Sequence, residues 1–546
     1  MLRRIGWGSM ILLGLLLVLV TQAQAGDIQS LAQALDANHN GYIDDAEILQ
    51  AIQYWVTGEP LPGTGGAVIS DEEILKLIDI WINHTLIAPA PPPSPSRVCP
   101  ESFSGRVLTV PGQYSTIQAA VDNAGEGDTI LVKPGTYPGG ITITKSLVLE
   151  GEQGSSLTKI QGGPNSKGIT VLRAEDVVIR GFAITGGQAG VDIENSSSVC
   201  LEGNDISHNL GPGIIATTVS QAVAAYPRGI TIANNRIVGD VGFGISANGI
   251  LQLKVLGNEI SETAVKPDGT AGQAVALQGG SKIKVKGNKI ARAQEFGIFA
   301  SGVTELTVRD NEISEIPDVP GTEIGTAIAL RSGTTASTIS GNKIEECDVG
   351  IDVEKGTAIT ISGNHIQASK VNGMLISNSI QVSLSDNQIV DTLPRSLAQA
   401  DSAVALQIED ESTVTARGNE IRTAFGYGLL IASGSEVTLK ENQVTRVQGK
   451  PGTPGRGIGV AGASAEITKN SVADNADDGI AVLDRGSAEI SDNWIANNRG
   501  FGIFAAPDAQ VTCPDGNQFA DNGADIADGV PQACLEGVGV PPLPGG

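Results

Sequence analysis

Between about residue 105 and residue 510 the apolar positions fall in short runs that alternate with polar ones, as in Ile283-Lys284-Val285-Lys286 and Leu306-Thr307-Val308. That is the period of a half-buried β-strand. The runs lead into a Gly-Asn or Asp-Asn pair, one variable residue and an apolar residue: Gly203-Asn204-Asp205-Ile206, Gly257-Asn258-Glu259-Ile260, Gly287-Asn288-Lys289-Ile290, Asp310-Asn311-Glu312-Ile313, Gly341-Asn342-Lys343-Ile344 and Gly363-Asn364-His365-Ile366. Related forms stand at Asn235, Asn387, Asn419, Asn442, Asn470, Asn493 and Asn517. A third run then opens with Gly-Ile, at Gly244-Ile245, Gly297-Ile298, Gly350-Ile351, Gly479-Ile480 and Gly502-Ile503.

Six of the intervals between neighbouring asparagines are 22 or 23 residues, for example Asn235 to Asn258 and Asn470 to Asn493. A period that tight predicts a stacked coil. Three short strands and three bends make one turn of a parallel β-helix, with turns about 4.8 Å apart. The expected fold is an all-β solenoid, a right-handed parallel β-helix of about 13 or more turns. The Asn is expected at the first bend, where it tolerates left-handed backbone angles and can form a side-chain ladder from turn to turn. Five intervals are longer, at 28 to 32 residues. In four of them the extra residues lie between the second and third strands, around 267–270, 317–325, 394–399 and 449–455, and should project from one corner; the fifth, around 220–228, follows its Gly-Ile strand.

Composition agrees with a narrow, turn-rich rod: of 546 residues, 70 are Gly, 40% are hydrophobic and only 3% aromatic. The formal net charge of −25 makes nucleic acid and anionic membranes unsuitable direct partners.

Residues 1–25 read as a secretory signal, with Arg3 and Arg4 before an apolar run from Met10 to Val20 and Ala23-Gln24-Ala25 as a cleavage site. The alternative is an uncleaved anchor; no later segment is long and apolar enough to span a bilayer. Residues 26–88 are helical in pattern, with Ile28, Leu31 and Leu35 on one face and Ile48, Ile52 and Trp55 continuing it beyond a loop. That loop offers Asp36, Asn38 and Asn40 at positions 1, 3 and 5, Gly41 at 6, the Tyr42 carbonyl at 7, Asp44 at 9 and Glu47 at 12. Hard oxygens in that order select Ca²⁺; the alternative for the same residues is a metal-free Asn-Gly turn. Ser70-Asp71-Glu72-Glu73 predicts a capping box opening a helix whose apolar side holds Ile74, Leu77, Ile78 and Trp81. The region resembles an EF-hand module, and more loosely a dockerin with its second calcium loop lost.

Prolines 89, 91, 92, 93 and 95 make residues 89–98 a stiff linker. Beyond it, Ile117, Ala120 and Val121 predict a short helix started by Ser115, followed by a strand at 129–132. Such a helix can plug the open end of the coil. Thr116-Ile117-Gln118-Ala119-Ala120-Val121, with Gly127-Asp128-Thr129-Ile130, Pro134-Gly135-Thr136-Tyr137 and the Gly-Asn-x-Ile turns, resembles right-handed parallel β-helix proteins of the pectin lyase-like superfamily over residues 105–510. The resemblance implies the fold, with the β-helix and its cap at 99–510 and a C-terminal cap and tail at 511–546. It leaves activity open, because the superfamily holds lyases, epimerases, hydrolases, copper-site maturation proteins and non-catalytic surface proteins.

Of the five cysteines, Cys513 and Cys534 bracket the tail, Cys99 ends the linker, Cys200 is expected on a strand and Cys347 in a turn; the pairing stays open. Stacking lets outward residues of the third strands be aligned, as Asp192, Ile215, Ser246, Ala276, Phe299, Ala329, Asp352, Leu375, Ala405, Leu430, Gly459, Ala481 and Phe504. Asp192 and Asp352 fall six turns apart, about 29 Å, too far for a glycosidase pair. Arg331 falls beside Glu354 on the next turn, with Asp352 near and Phe299 two turns below. An Arg with carboxylates and an aromatic platform suits a uronate-binding or β-eliminating site; a surface ion pair is the simpler alternative. Asp477-Asp478 reads as a turn before a strand, and His208 and His365 fall in different columns. Met374 is the one thioether beyond the signal, a poor basis for copper.

The expectation is a secreted, calcium-binding β-helix protein, extracellular or periplasmic. It is expected to bind extracellular or cell-surface polysaccharide, or a protein partner, without catalysis. The alternative is a polysaccharide lyase or epimerase acting on an acidic polysaccharide, which the chain's own charge opposes unless Ca²⁺ bridges the two.

Overall fold

The computed structural model describes residues 31–32, 34–35, 43, 45–59, 61, 68–82, 98–218, 229–267, 269, 272–317, 325–394, 403–449 and 454–535. Two compact units divide the chain, Met1–Arg97 and Val98–Gly546.

In the first unit the helices Asp45–Thr57 and Asp71–Ile82 share an apolar core with Leu31, Leu35, Ile43 and Leu61; Ile48, Ile74 and Leu77 supply its buried helix positions. The capping box is present: the Ser70 N–H donates to Glu73 Oε2 at 2.8 Å and the Glu73 N–H to Ser70 Oγ at 3.3 Å. Trp55, expected on the buried face, is instead 37% exposed, and its indole N–H donates to Asp71 Oδ1 at 2.9 Å. An indole has a polar edge that is better satisfied at the rim than in the core. Five of the expected Ca²⁺ ligands, Asp36, Asn38, Asn40, Tyr42 and Asp44, lie outside the described residues. Glu47 is described; it is buried in the first turns of its helix. The expected signal at 1–25 and residues 89–97 of the linker also lie outside the described residues.

The second unit is a coil of three parallel sheets. Among the described residues the first has 17 strands, from Val107–Val110 to Gln510–Thr512. The second and third have 16 each, running from Gly135–Pro138 to Gln518–Ala520 and from Ile141–Ile143 to Ala524–Ile526. Strands pair with their counterparts one turn on, as in Val285↔Val308, Ile290↔Ile313 and Ile298↔Ile328. The inward Ile, Val and Leu side chains of all three sheets form one continuous core.

The helix Ile117–Asn123 buries Ile117, Ala120 and Val121. Its cap is Thr116 rather than Ser115, since Thr116 Oγ1 accepts the Ala119 N–H at 3.1 Å. Beside it the Asp128 carboxylate accepts from the Arg106 guanidinium and N–H, both at 2.7 Å, and from the Gly125 N–H at 2.8 Å. The Arg106 and Gly125 bonds hold its pKa down at about 2. Disulfides join Cys99 to Cys200, strapping the end of the linker to the first sheet, and Cys513 to Cys534 at the far end of the coil. Cys347 is a buried free thiol.

The repeated asparagines stand in one interior column between the first and second sheets, each 2% exposed or less. From Asn204 to Asn493, each Nδ2 donates to the Oδ1 of the Asn one turn on at 2.9–3.1 Å. The same Oδ1 also takes the backbone N–H of the preceding Asn, as from Asn288 to Asn311 at 2.9 Å. The second Nδ2 proton goes to a carbonyl of the turn before, as from Asn311 to Val285 at 3.0 Å. Both donors and both lone pairs of the amide are therefore used. At the C-terminal end the Cys534 carbonyl accepts the Asn517 N–H at 2.9 Å, in place of a further Asn.

The expectation that Asn itself takes the left-handed angle is corrected. The residue before it does: Gly257, Gly287, Asp310, Asp386 and Lys469 have φ of 53° to 65°. Asn is needed for its side chain and the residue before it, most often Gly or Asp, for the backbone, which is why the two travel as a pair. The Gly of Gly-Ile has a different cause, close approach: a Cβ on Gly297 would stand 2.6 Å from the Ala327 carbonyl of the next turn. Four of the insertions fall between a second-sheet strand and the third-sheet strand that comes next, since Pro267, Pro317, Pro394 and Gly449 follow second-sheet strands; most of their residues lie outside the described ones. The fifth falls between the third-sheet strand Ile214–Thr217 and the first-sheet strand Thr231–Ala233.

A shorter ladder lines the bend between the second and third sheets, with Asn475, Asn498 and Asn522 joined at 2.8 and 2.9 Å. Asp240 stands at the same bend near the other end. Its Oδ1 accepts the N–H and Nδ2–H of Asn209 at 2.8 and 2.9 Å, but Oδ2 is buried without a hydrogen bond. Burial pushes this carboxyl from 3.8 up to about 7, against the pull of the Asn209 bonds. The folded chain thus holds a proton that the unfolded chain releases above 3.8, so the stabilisation is complete below that pH and is lost as pH rises through 7. Asp240→Asn should match the wild type in thermal unfolding at pH 4 and exceed it at pH 8, by on the order of 2–4 kcal/mol; equal stability at both pH values would contradict the assignment.

Candidate functional site

Side chains on the outer face of the third sheet stack in columns, because equivalent residues of successive turns lie in register. The central column runs as expected from Asp192 through Phe299, Ala329 and Asp352 to Phe504, with one correction. Gln407, not Ala405, is the outward partner of Leu375 and Leu430. That turn opens with Ala405-Leu406 instead of Gly-Ile, so Val404, its first apolar residue, aligns with Asn372 and counting from it slips the register.

Arg331, Asp352 and Glu354 come together on adjacent turns, but the ring against the guanidinium is that of Phe296, with Phe299 beside it rather than in its place. Arg331 Nη2 is 2.7 Å from Asp352 Oδ2, and Nε is 3.6 Å from Glu354 Oε2. Phe299 lies one turn before Arg331, its ring centroid 5.1 Å from that of Phe296, and the guanidinium lies 5.9 Å from the Phe296 ring. Lys355 Nζ is 2.6 Å from Glu354 and, with Arg331 more remotely, holds that carboxylate below its ordinary range. Both acids therefore touch cations.

Two further clusters share the face. Towards the N-terminus Lys167 contacts both Asp192 and Glu194. Burial raises the Asp192 carboxyl while Lys167 pulls it down, and the Lys167 bond lowers Glu194.

Towards the C-terminus Arg456 binds Asp478 Oδ2 through Nε at 3.0 Å and donates from Nη1 to Tyr427 Oη at 3.2 Å. Its guanidinium lies 5.8 Å from the Phe504 ring. Asp478, read from sequence as a turn residue, is 4% exposed and also accepts the Phe501 N–H at 3.0 Å. Burial, then the Asp478 charge, raises its neighbour Asp477. Sequence reasoning missed this cluster, although Phe296-Gly297-Ile298-Phe299 and Phe501-Gly502-Ile503-Phe504 are the same four residues in two turns.

No group of three His, Cys, Asp or Glu side chains is placed to hold a metal among the described residues. His365 is the first residue of a second-sheet strand, with Nδ1 3.1 Å from Gln388 Oε1, whereas His208 sits at the bend after such a strand. Met374 is in the core, and burial pushes the Cys347 thiol up to about 12. The donors that copper prefers are thus dispersed.

Residues 121–316 match a family model described as periplasmic copper-binding protein (NosD), and residues 263–401 and 398–530 match the right handed beta helix region. The segment 121–316 contains no Met, a single His, His208, and a single Cys, Cys200, which is bonded to Cys99, so its residues do not fit the copper of that description. A cell surface glycoprotein of Methanothermus fervidus is 33% identical over 97 residues, spanning 17% of this chain and 16% of that protein. Among solved structures, the catalytic unit of a GH87 alpha-1,3-glucanase from Streptomyces thermodiastaticus is 15% identical with a TM-score of 0.40, covering 62% of this chain and 69% of that one. The A-module of the Azotobacter vinelandii mannuronan C-5 epimerase AlgE4 is 13% identical with a TM-score of 0.32, covering 80% and 98%. With three parallel sheets closing one core and two right-handed β-helix models matching along it, the chain has the pectin lyase-like fold, a right-handed parallel β-helix.

Proposed function

We propose that this is an exported, surface-associated β-helix protein that binds glycan on the outer face of its third sheet without turning it over, and that its N-terminal module holds Ca²⁺ as part of a tether. One observation carries the reading: Asp192, Asp352, Glu354 and Asp478 each touch a Lys or Arg. Acids so engaged build a polar, aromatic-studded surface, whereas glycoside hydrolysis requires a protonated acid beside a free carboxylate. Two disulfides suit an oxidising compartment outside the cell, in line with the signal-like start and with the surface location named for the Methanothermus relative.

The N-terminal residues fit a hard cation. Glu47, at loop position 12, is 5% exposed, and Ile43, between ligand positions 7 and 9, is anchored in the apolar core. Asp36, Asn38, Asn40, the Tyr42 carbonyl, Asp44 and Glu47 would complete an oxygen shell for Ca²⁺.

The second reading, a lyase or epimerase of acidic polysaccharide, draws on the same Arg331, Asp352, Glu354 and Phe299. On pectate, alginate and glycosaminoglycans, with and without Ca²⁺, no ultraviolet absorbance of an unsaturated product should develop; turnover abolished by Arg331→Ala would overturn the non-catalytic reading. For the module, calorimetry on the full chain should find one Ca²⁺ site that Glu47→Gln removes, and identical titrations of the two would refute it.

A further inference from the structure

The C-terminal cluster has features that the central one lacks. Tyr427 and Leu430 lie in one turn, Arg456 and Gly459 in the next, Asp478 and Ala481 in the third, and Phe501 and Phe504 in the fourth. The group spans three steps of the coil, about 14 Å. A Cβ on Gly459 would stand 2.6 Å from Tyr427 Cε1 and 2.8 Å from Cδ1, so the tyrosine ring lies across the backbone of the next turn at the one glycine of the central column. Tyr427 and Phe504 are half-buried rather than enclosed in the core.

The polar groups are fixed but not exhausted. Arg456 uses Nε on Asp478 and one Nη1 proton on Tyr427. Among the described residues its three other N–H groups, and the Tyr427 O–H proton, meet no protein acceptor. Asp478 at 3.0 Å and Asp477 at 3.7 Å more than offset the Arg456 charge. An anionic sugar would meet two carboxylates for one guanidinium, on a chain whose formal charge is already −25.

We infer that Tyr427, Gly459, Arg456 and Phe504 form a platform for a neutral glycan, with pyranose C–H faces against the aromatic rings and sugar hydroxyls accepting from Arg456 and Tyr427. The inference rests on the reading that this outer face binds glycan, and it adds a place and a sugar class that the Arg331 cluster does not supply. Half-buried aromatic rings flanked by unspent donors are the combination that such a ligand uses.

The test is calorimetric titration of the full chain with neutral hexasaccharides of glucose, mannose, galactose and N-acetylglucosamine, and with hexagalacturonate. The wild type should bind at least one neutral hexasaccharide, and Tyr427→Ala should weaken it by about tenfold or more. Gly459→Ala should weaken it similarly, because a methyl group there displaces the Tyr427 ring, and its hydroxyl with it, while removing no polar group from the chain. Tyr427→Phe should bind with an intermediate loss, and guards against a folding failure in the alanine variant. Neutral-glycan binding lost in Phe299→Ala but kept in both Tyr427→Ala and Gly459→Ala would overturn this platform and leave the wider reading standing. Binding of hexagalacturonate alone would overturn the sugar class, and no binding of any member of the set would overturn both readings.

Discussion

A buried primary amide has two protons to donate and two lone pairs to fill, and the first bend of this coil satisfies all four in turn after turn. The strands of the second sheet are mostly three residues long, as at Lys289–Ala291 and Glu312–Ser314, too short to fix their own register firmly. The ladder supplies what they lack. Asn311 accepts from Asn288, donates to Asn342 and donates to Val285, so a misplaced turn strands buried polar groups in its neighbours as well as in itself. Aspartate in the same geometry would set an oxygen where a donor is required. Asp240, at the neighbouring bend, shows the consequence in a carboxyl lifted to about 7.

Register inside the coil determines chemistry outside it. Once turns are locked, residues more than twenty positions apart become vertical neighbours, and the ionic contacts of the third sheet follow that vertical order: Arg331 with Asp352, and Arg456 with Asp478. Each bridges adjacent turns beside a pair of phenylalanines. These are sites on a rigid face with their acids already engaged. That engagement is the ground for proposing that the surface holds a ligand, and it sets a cation among the carboxylates of an overall acidic protein.

Much of this was legible in the sequence because a period of 22 or 23 residues leaves little choice of fold. The Arg331 cluster followed from counting turns, as did the pair of sheets between which four insertions fall. What failed did so for local reasons. Ala405-Leu406 in place of Gly-Ile moved the count by two residues and hid Gln407. Ser115 and Thr116 are both good caps, and only geometry selects Thr116. The left-handed angle was assigned to Asn because Asn tolerates it, when the residue before it carries the strain. Asp478 looked like turn chemistry because its strand begins two residues later, at Ile480, although its carboxylate already faces Arg456. No alternation rule reports that Tyr427 crosses into the next turn over Gly459, a contact that exists only after folding.

The central claim is that the asparagine ladder holds the turns in register, and Asn311→Ala followed by native-state hydrogen exchange tests it most directly. The substitution removes the acceptor of the Asn288 N–H, 2.9 Å away, and both donations from Asn311. The amide of Asn288 and those of the flanking first- and second-sheet strands should lose protection, with stability falling by about 2–5 kcal/mol. Unchanged protection at Asn288 and unchanged stability would show that strand pairing and the apolar core set the register without the ladder.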